Sequence, residues 1–313
     1  MAESEAPAPS LRRCGEHARA LIAARLARLV ALQAEVLADR DPEPLHQMRV
    51  SFRRLRGILE QFGPALVLPD AADPARIARI SRRLGLSRDL DVLRQRLDQQ
   101  LIPLLSEREV QALKPLFKQL RRERRLAFEE LTEALQGRRY LKLLAQLQAW
   151  IKAPRFTPLG EEPLALWGSE LLQAVTTGLT MEPGWWVESP HGTQAAADLH
   201  RLRRRIKRAR YGLSHLEPLA PAAVAVWVAG LRRMQEHLGD LNDVQLIETA
   251  LHHALDAPPD QVVPGLCSVL MEQRGKSWQL WRDQVAELHQ PAARTTLYGL
   301  LAPLGPGTAS ALT

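Results

Sequence analysis

The chain has 313 residues, enough for two units of ordinary domain size that each bury a core. Lysine and arginine outnumber aspartate and glutamate by 42 to 35, and the resulting net charge of +7 is concentrated in a few segments. The two cysteines, Cys14 and Cys267, are far apart and lack metal-ligand spacing, which argues against a disulfide framework or a zinc site.

The N-terminal segment, residues 1–10, has neither the basic start nor the apolar run of a signal peptide, and we expect a short disordered lead. The longest apolar run, 219–231, is too short to span a bilayer and contains Pro221. These features predict a cytoplasmic protein that makes no membrane contact.

Apolar residues recur at helical spacing through most of the chain, without the sustained alternation typical of strands, so we predict an all-α protein. In the first half the pattern predicts five helices, at 11–37, 44–62, 74–99, 107–135 and 138–151. A stretch with three prolines and a glycine, 153–163, predicts a linker. The first helical repeat is therefore assigned to 11–152.

The second half is predicted to repeat this organisation over 164–301, followed by a flexible tail at 302–313. Its predicted helices span 164–179, 194–216, 220–254 and 261–288, with a short helix after Ala292. We expect the adjacent Trp185 and Trp186 to pack between helices, and an interaction patch is the alternative.

The pattern of a basic helix occurs twice in the sequence, as LHQMRVSFRRLRGILEQF at 45–62 and as LHRLRRRIKRARYGLSHL at 199–216. Both copies begin Leu-His, and in both the histidine is followed by a cation at the third, seventh and tenth positions. Gly85 and Gly239 each lie 39 residues after the histidine of their half, so one offset of 154 relates both pairs. This register predicts an internal duplication of one helical unit.

Each basic helix is predicted to carry an apolar stripe beside a cationic row. The stripes consist of Leu45, Met48, Phe52, Leu55, Leu59 and Phe62 in the first copy, and of Leu199, Leu202, Ile206, Leu213 and Leu216 in the second. The histidine and its three cations fall beside the stripe, within a sector of roughly 80°. A cationic row about 15 Å long suits successive phosphates, and arginine forks bind phosphate with two hydrogen bonds. A single such helix is usually a solvated basic face, but its duplication favours a polyanion site.

The offset also relates cations near the two glycines. Arg79 matches Arg233, whereas Asn242 replaces Arg88. Further cations precede the glycines or lie in the fourth predicted helix, namely Arg76, Arg79, Arg82, Arg83, Arg232 and Arg233, and Lys118, Arg121, Arg122, Arg124 and Arg125. The second of these groups is interspersed with glutamates, which is typical of ordinary protein surface.

Three carboxylates follow the glycines, and Asp89 matches Asp243 at the offset, while Asp91 lies nearby. We expect all three to orient arginines by charge-assisted bonds, because a free carboxylate would oppose an anionic ligand. Gly85 and Gly239 are expected to allow either close helix packing or a helix break.

Together these features resemble the CHAD domain, a family named for the histidines of an α-helical domain. The resemblance rests on the twin Leu-His-x-apolar-Arg helices, each followed by LGxxRD or LGxLND, and covers about 11–301. It implies two pseudo-symmetric helical bundles around a central basic groove or channel that binds inorganic polyphosphate, and association with polyphosphate granules. The implied ligand-binding residues are His46, Arg49, Arg53, Arg54 and Arg56, and His200, Arg203, Lys207, Arg208 and Arg210. Further candidates are Arg79, Arg83, Arg88 and Arg233.

Asn242 departs from the Arg-Asp pair that the resemblance leads us to expect, so the two halves are predicted to bind unequally. Some family members carry a preceding triphosphate-binding domain with alternating glutamates in a strand, and the sequence contains no such segment. We therefore expect no enzymatic activity, no cofactor and no metal site. The sequence does not indicate an oligomeric state.

His46 and His200 are expected to be anion ligands, with a structural hydrogen bond across helices as the alternative. Beside arginines, the charged form of a histidine is disfavoured until a phosphate is bound. Binding should therefore strengthen as the pH falls through the neutral range.

Two other functions would also require a basic surface of this kind. A nucleic-acid-binding protein would place aromatic residues among the cations, but the two basic helices contain only Phe52, Phe62 and Tyr211, and both phenylalanines lie on the apolar stripe. A phosphohydrolase acting on polyphosphate would use His46 or His200 with nearby aspartates, and the sequence contains neither a metal motif nor a phosphate-cradling loop.

Overall fold

The computed structural model describes residues 12–288, 290–292 and 295–296. The helices between 14 and 288 are α1 (Cys14–Ala38), α2 (Pro42–Phe62), α3 (Pro74–Arg96), α4 (Glu107–Ala112), α5 (Lys114–Gln136), α6 (Arg138–Lys152), α7 (Pro158–Glu161), α8 (Leu164–Thr176), α9 (Thr193–His215), α10 (Pro221–Ala254), α11 (Pro259–Val262) and α12 (Pro264–Leu288). The described residues form no β-strand, only two isolated bridges. The all-α prediction is confirmed. The predicted lead and tail lie outside the described residues, as does most of the short helix after Ala292.

Two aspartates define where the first two helices after α1 begin. Asp41 caps α2, accepting a hydrogen bond from the Glu43 N–H at 2.9 Å, and Asp73 caps α3 in the same way through Arg76 N at 2.9 Å. In both helices a proline follows the cap, where its missing N–H costs no hydrogen bond. The start of α2 places the following basic residues at fixed angles around the helix.

Prolines break two helices that the periodicity predicted as continuous. The helix predicted at 107–135 is interrupted at Leu113 between α4 and α5, because Pro115 cannot donate to the preceding turn. The helix predicted at 261–288 is likewise divided at Val263, just before Pro264. Those two predictions of a single helix were wrong.

The segment predicted as a linker, 153–163, interrupts the long helices, as its prolines indicate, and is anchored to the first half. Val67 N–H donates to Arg155 O at 3.0 Å, and Cys14 N–H donates to Glu162 O at 2.8 Å. A Cβ added to Gly160 would lie 2.2 Å from the carbonyl oxygen of Ala65, so only glycine fits this close approach.

Two apolar cores hold the molecule together, and each draws on both halves of the chain. The larger core contains the predicted apolar stripes of α2 and α9, whose eleven residues are all buried. The smaller core joins the end of α3 and the start of α5 to α10 and α12 through residues such as Leu97, Leu116, Ile247 and Leu270. Burial of each such side chain stabilises the fold by roughly 1.5–3 kcal/mol. The assignment of the halves as repeats stays a prediction.

One contact joins two positions that the offset of 154 relates. Gln61 of α2 accepts a hydrogen bond from His215 of α9, with 2.8 Å between Oε1 and Nδ1. The Gln61 side-chain amide also donates to the carbonyls of Leu171 and Gly212. In the same buried network, His17 Nε2 forms a hydrogen bond with the backbone carbonyl of His215. Burial lowers the pKa of His215 to about 3, so the ring is uncharged at neutral pH.

The two adjacent tryptophans have different environments. Trp185 is buried and stacks on Trp281, with 5.4 Å between ring centroids, as the packing prediction states. Trp186 is 59% exposed, so the prediction that both tryptophans pack between helices is wrong for this residue. Among the described residues, no helix is both long and apolar enough to cross a membrane.

Candidate anion-binding site

The cations of α2 and α9 form one cluster. The two helices pack against each other, and Arg53 Nη2 of α2 donates to the Tyr211 hydroxyl of α9 at 3.0 Å. The buried apolar stripes turn the cationic rows of both helices towards this contact. The structure therefore brings together candidate residues that are separated by more than 150 positions in sequence.

Lys207 is the most strongly perturbed cation in the cluster. Its pKa is lowered to about 7, chiefly by burial, and the nearby charges of Arg53, Arg203, Arg49 and Arg210 contribute to this shift in the same direction. The neighbouring charges with the largest effects on this pKa all belong to arginines. A cation surrounded in this way is stabilised when an anion enters the cluster.

Tyr211 holds three guanidinium groups around one ring. The Cζ atom of Arg210 lies 4.5 Å from the ring centroid, and those of Arg53 and Arg54 each lie 5.3 Å from it. Such cation–π contacts direct the arginines without neutralising them. The position related to Tyr211 by the offset is Gly57, so the arrangement has a single ring at its centre.

Gly85 and Gly239 lie within α3 and α10 and contact equivalent arginines. A Cβ added to Gly85 would lie 3.7 Å from Arg49 Nη2, and one added to Gly239 would lie 3.5 Å from Arg203 Nη2. These distances are ordinary van der Waals contacts, so the guanidinium groups lie beside α3 and α10 without requiring glycine there. Both glycines lie inside continuous helices, so the expected helix break is wrong, and the expected role in close packing stays a prediction.

The three aspartates pair with arginines, which confirms their expected role. The distance from oxygen to nitrogen is 2.8 Å for Asp89 with Arg49, 3.0 Å for Asp91 with Arg124, and 3.3 Å for Asp243 with Arg96. Arg124 also pairs with Asp39, so it stabilises the junction of α1, α3 and α5 rather than the cluster.

The two histidines that begin the basic rows have different neighbours. Partial burial lowers the pKa of His46, and the charge of Arg88 is the next largest cause. His200 instead contacts Asn242, with 3.1 Å between Nδ1 and Oδ1. Arg88 and Asn242 occupy positions related by the offset, so this difference between the halves replaces a repulsive neighbour of the histidine with a hydrogen-bonding one.

Several arginines in and around the cluster present buried donors with no hydrogen-bond partner. The unpaired atoms within the described residues are the Nε groups of Arg53, Arg54, Arg88, Arg96 and Arg203, whereas Arg56 Nε makes no hydrogen bond but forms an ion pair with Glu60. Buried donors are normally satisfied in proteins, so a concentration of unpaired ones at one place favours a ligand that accepts hydrogen bonds. Phosphate oxygens match this requirement.

A depression of about 610 Å³ opens beside the cluster. Its lining includes Arg53, Arg56, Lys207 and Arg208. Glu60 lies between two of these cations, 3.4 Å from Arg56 Nε and 3.7 Å from Arg208 Nη2. This carboxylate reduces the positive charge at the opening of the site.

Three predicted site residues lie elsewhere. Arg79 and Arg83 line a different depression, where Arg83 pairs with Glu130 at 2.9 Å. Arg233 is exposed on α10 and lines no depression of the cluster. The structure therefore does not bring Arg79, Arg83 and Arg233 together with Lys207.

The sequence interpretation missed two contributors. Arg96 was not singled out because its offset-related position is Ala250, which removes the duplication signal. Tyr211 was considered only for base stacking, since its position between three arginines depends on how α2 and α9 pack. In the part of the chain that the structure describes, no three histidine, cysteine or carboxylate side chains are grouped to hold a metal.

Comparisons with known proteins agree with this architecture. The crystal structure of the CHAD domain from the plant Ricinus communis is similar, with a TM-score of 0.63 and 25% identity over 92% of this chain and 93% of that chain. PptA from Streptomyces chartreusis has the same TM-score, 0.63, at 18% identity, over 93% of this chain and 99% of that chain. No curated protein matches the sequence. A family model for the CHAD domain matches residues 20–252, well over half of the chain, so the chain belongs to the CHAD domain family.

Proposed function

We propose that the protein binds inorganic polyphosphate through the joint cluster of α2 and α9 and has no enzymatic activity. The observation that carries this proposal is the convergence of both basic rows on Lys207, where buried arginine donors lack partners. A flexible chain of phosphates supplies many acceptors and charges in a row, so it satisfies several of these donors at once.

The internal duplication and the central basic groove form part of the same proposal. Shifting α2 by 154 gives 196–216, close to the observed bounds of α9, and the contact between Gln61 and His215 supports a pseudo-symmetric arrangement. Each half then supplies one wall of the groove. A protein of this kind would collect in the cytoplasm at polyphosphate granules.

Nucleic acid is the weaker alternative because no aromatic ring in the basic helices is available for stacking. Phe52 and Phe62 are fully buried, and Tyr211 is surrounded by guanidinium groups. Binding to single strands normally uses exposed rings between the cations.

The absence of catalysis is proposed from the roles of the carboxylates. Asp89 pairs with Arg49 and Asp243 with Arg96, so both are engaged in positioning cations. To test this, long-chain polyphosphate is incubated with the protein and Mg²⁺ or Mn²⁺, and chain length is followed on gels. We expect no shortening over hours, and progressive shortening would establish hydrolysis.

The binding proposal is tested by calorimetric titration with polyphosphates of graded length and with DNA and RNA as competitors. The double variant Arg53→Ala, Lys207→Ala should lose more than roughly 100-fold in affinity, because each of the two lost hydrogen bonds to a charged group contributes about 1.5–3 kcal/mol. The slope of log affinity against log salt concentration should also become shallower, by an amount equivalent to about two phosphate contacts.

A matched control is the double variant Arg125→Ala, Lys276→Ala, which removes the same two residue types from positions that are 74% and 71% exposed. This control should bind like the wild type. Equal affinity for nucleic acid would contradict the proposed ligand, and an unaffected Arg53, Lys207 variant would contradict the proposed site.

A further inference from the structure

A second basic depression lies between α3, α5 and α6, and we infer that it is an independent oligophosphate-binding site. We call it the outer pocket. Its charged lining consists of Arg76, Arg79, Arg82 and Arg83 of α3, Glu130 and Glu133 of α5, and Arg138, Arg139 and Lys142 of α6. The depression has a volume of about 1040 Å³, larger than the one beside Lys207.

Positive charge dominates the outer pocket because seven cations face two carboxylates. Arg83 pairs with Glu130, and the other six cations have no carboxylate partner within the described residues. Cations at this spacing repel one another unless an anion lies between them. A bound anion would therefore reduce the electrostatic repulsion among the cations of the pocket.

The outer pocket faces away from the cluster around Lys207. On α3, Gly85 contacts Arg49 and so marks the side that faces α2. Arg83 precedes Gly85 by two residues, which places the two positions about 160° apart around the helix axis. Arg76 and Arg79 likewise lie about 180° and 120° from Gly85, whereas Arg82 lies about 60° from it. A ligand in the outer pocket thus contacts mainly the opposite face of α3 from a ligand in the cluster.

The outer pocket is a property of the first half of the chain. At the offset of 154, the second half has Gly230, Glu236 and His237 in place of three of the α3 arginines, and Ala292 in place of Arg138. The basic character is therefore not needed to build the helical unit itself. It is an added feature of one copy.

The start of α6 adds a second source of unfavourable charge. Arg138 and Arg139 occupy its first turn, which contains no acidic residue, and Gly137 provides no side-chain cap. Cations at the N-terminal end of a helix oppose the helix dipole. An anion in the outer pocket would offset this repulsion as well as the repulsion among the arginines.

The chemistry of the lining indicates the ligand class. No aromatic side chain lines the outer pocket, so it offers nothing on which a nucleobase could stack. All seven cations are exposed, which predicts weaker binding than in the cluster and a steep dependence on salt. An oligophosphate, with several charges in a short chain, is the ligand that fits. This site is additional to the one in the proposed function and shares only the chemistry of its ligand.

The test is calorimetric titration with tripolyphosphate at low salt. Four proteins are compared: the wild type, the cluster variant Arg53→Ala with Lys207→Ala, the outer-pocket variant Arg79→Ala with Arg139→Ala, and the surface control Arg125→Ala with Lys276→Ala. Circular dichroism melts verify that each is folded. We expect two binding events in the wild type and control, loss of the weaker event in the outer-pocket variant, and loss of the tighter event in the cluster variant.

The outcomes separate this inference from the proposed function. Loss of all binding in the cluster variant, or two unchanged events in the outer-pocket variant, would overturn the outer pocket and leave the proposed function standing. A wild type with one event that disappears only in the outer-pocket variant would support the outer pocket and overturn the proposed site.

Discussion

The first and second basic helices occupy equivalent positions in their halves, but they carry their charge differently. In the first half, His46 lies near Arg88 and its pKa is lowered, whereas in the second half His200 is hydrogen-bonded to Asn242. Arg53 of α2 corresponds to Lys207 of α9, whose pKa falls to about 7. One half thus keeps a permanent charge where the other has a charge that depends on pH.

This difference teaches that duplicated positions need not have duplicated roles. An arginine stays protonated even when buried among cations, whereas a lysine in the same place releases its proton. The first half therefore supplies constant attraction for an anion. The second half adds attraction that depends on the pH of the solution.

The largest predicted effect concerns Lys207 and pH. A bound polyanion favours the charged lysine, so above a pKa of about 7 each binding event must take up a proton. Affinity should therefore fall as the pH rises from 7 to 9, by up to about tenfold per pH unit. Lys207→Arg should abolish this dependence, as measured by titrations in buffers of different ionisation enthalpy.

The reciprocal substitution provides the control for this prediction. Arg53→Lys places a second titratable cation in the cluster and should steepen the same pH dependence. A Lys207→Arg protein whose affinity still falls between pH 7 and 9 would show that another group takes up the proton.

The next largest effect concerns the contact between the halves. Gln61→Leu removes the acceptor of His215 Nδ1 and leaves a buried donor without a partner. The free energy of unfolding should fall by about 1–3 kcal/mol. Urea denaturation measures the loss, with the exposed Gln95→Leu as a control that should change little. If the free energy of unfolding changed no more in Gln61→Leu than in the control, the contact between Gln61 and His215 would contribute nothing to stability.

Exchanging the residues that differ between halves should have an intermediate effect. Arg88→Asn removes a cation from the first half, and we expect affinity to fall about tenfold, whereas Asn242→Arg should raise it by a similar factor. The salt dependence should become shallower in the first variant and steeper in the second. Affinities of both variants within twofold of wild type would show that this difference between the halves does not affect binding.

The smallest predicted effect concerns Tyr211. Tyr211→Phe keeps the ring that faces three arginines but removes the hydroxyl that accepts from Arg53. We expect a loss of affinity of about threefold, at the lower end of the range for a single hydrogen bond. Tyr140→Phe, whose hydroxyl interacts with Gln33, is the matched control. Equal losses of affinity in the two variants would show that the Tyr211 hydroxyl does not position Arg53 for binding.

Much of the fold was accessible from periodicity because the apolar stripes on α2 and α9 are nearly unbroken. Every stripe residue is buried, and the ends of most helices agree with the prediction to within a few residues. The interruptions before Pro115 and Pro264 were missed, although a proline inside a helical pattern is itself a breaking signal. At both places the missing N–H of proline overrides the apolar periodicity.

The candidate site was only partly accessible from sequence. The angle between Arg83 and Gly85 on α3 indicates opposite faces, and this could have separated Arg83 from the cluster in advance. By contrast, the contacts of Arg96 with Asp243, and of Tyr211 with three arginines, cross between helices that are distant in sequence. Their partners follow from tertiary packing, which a single sequence does not specify.

The sharing of both cores between the halves has a consequence during synthesis. When the first half has left the ribosome, Leu97 and Leu116 still lack Ile247 and Leu270, the later residues of their core. Burial that stabilises the end of α3 and the start of α5 is therefore completed only when the C-terminal helices have been made. The nascent chain must carry an exposed apolar surface for most of its translation, and such a surface is a natural target for chaperones.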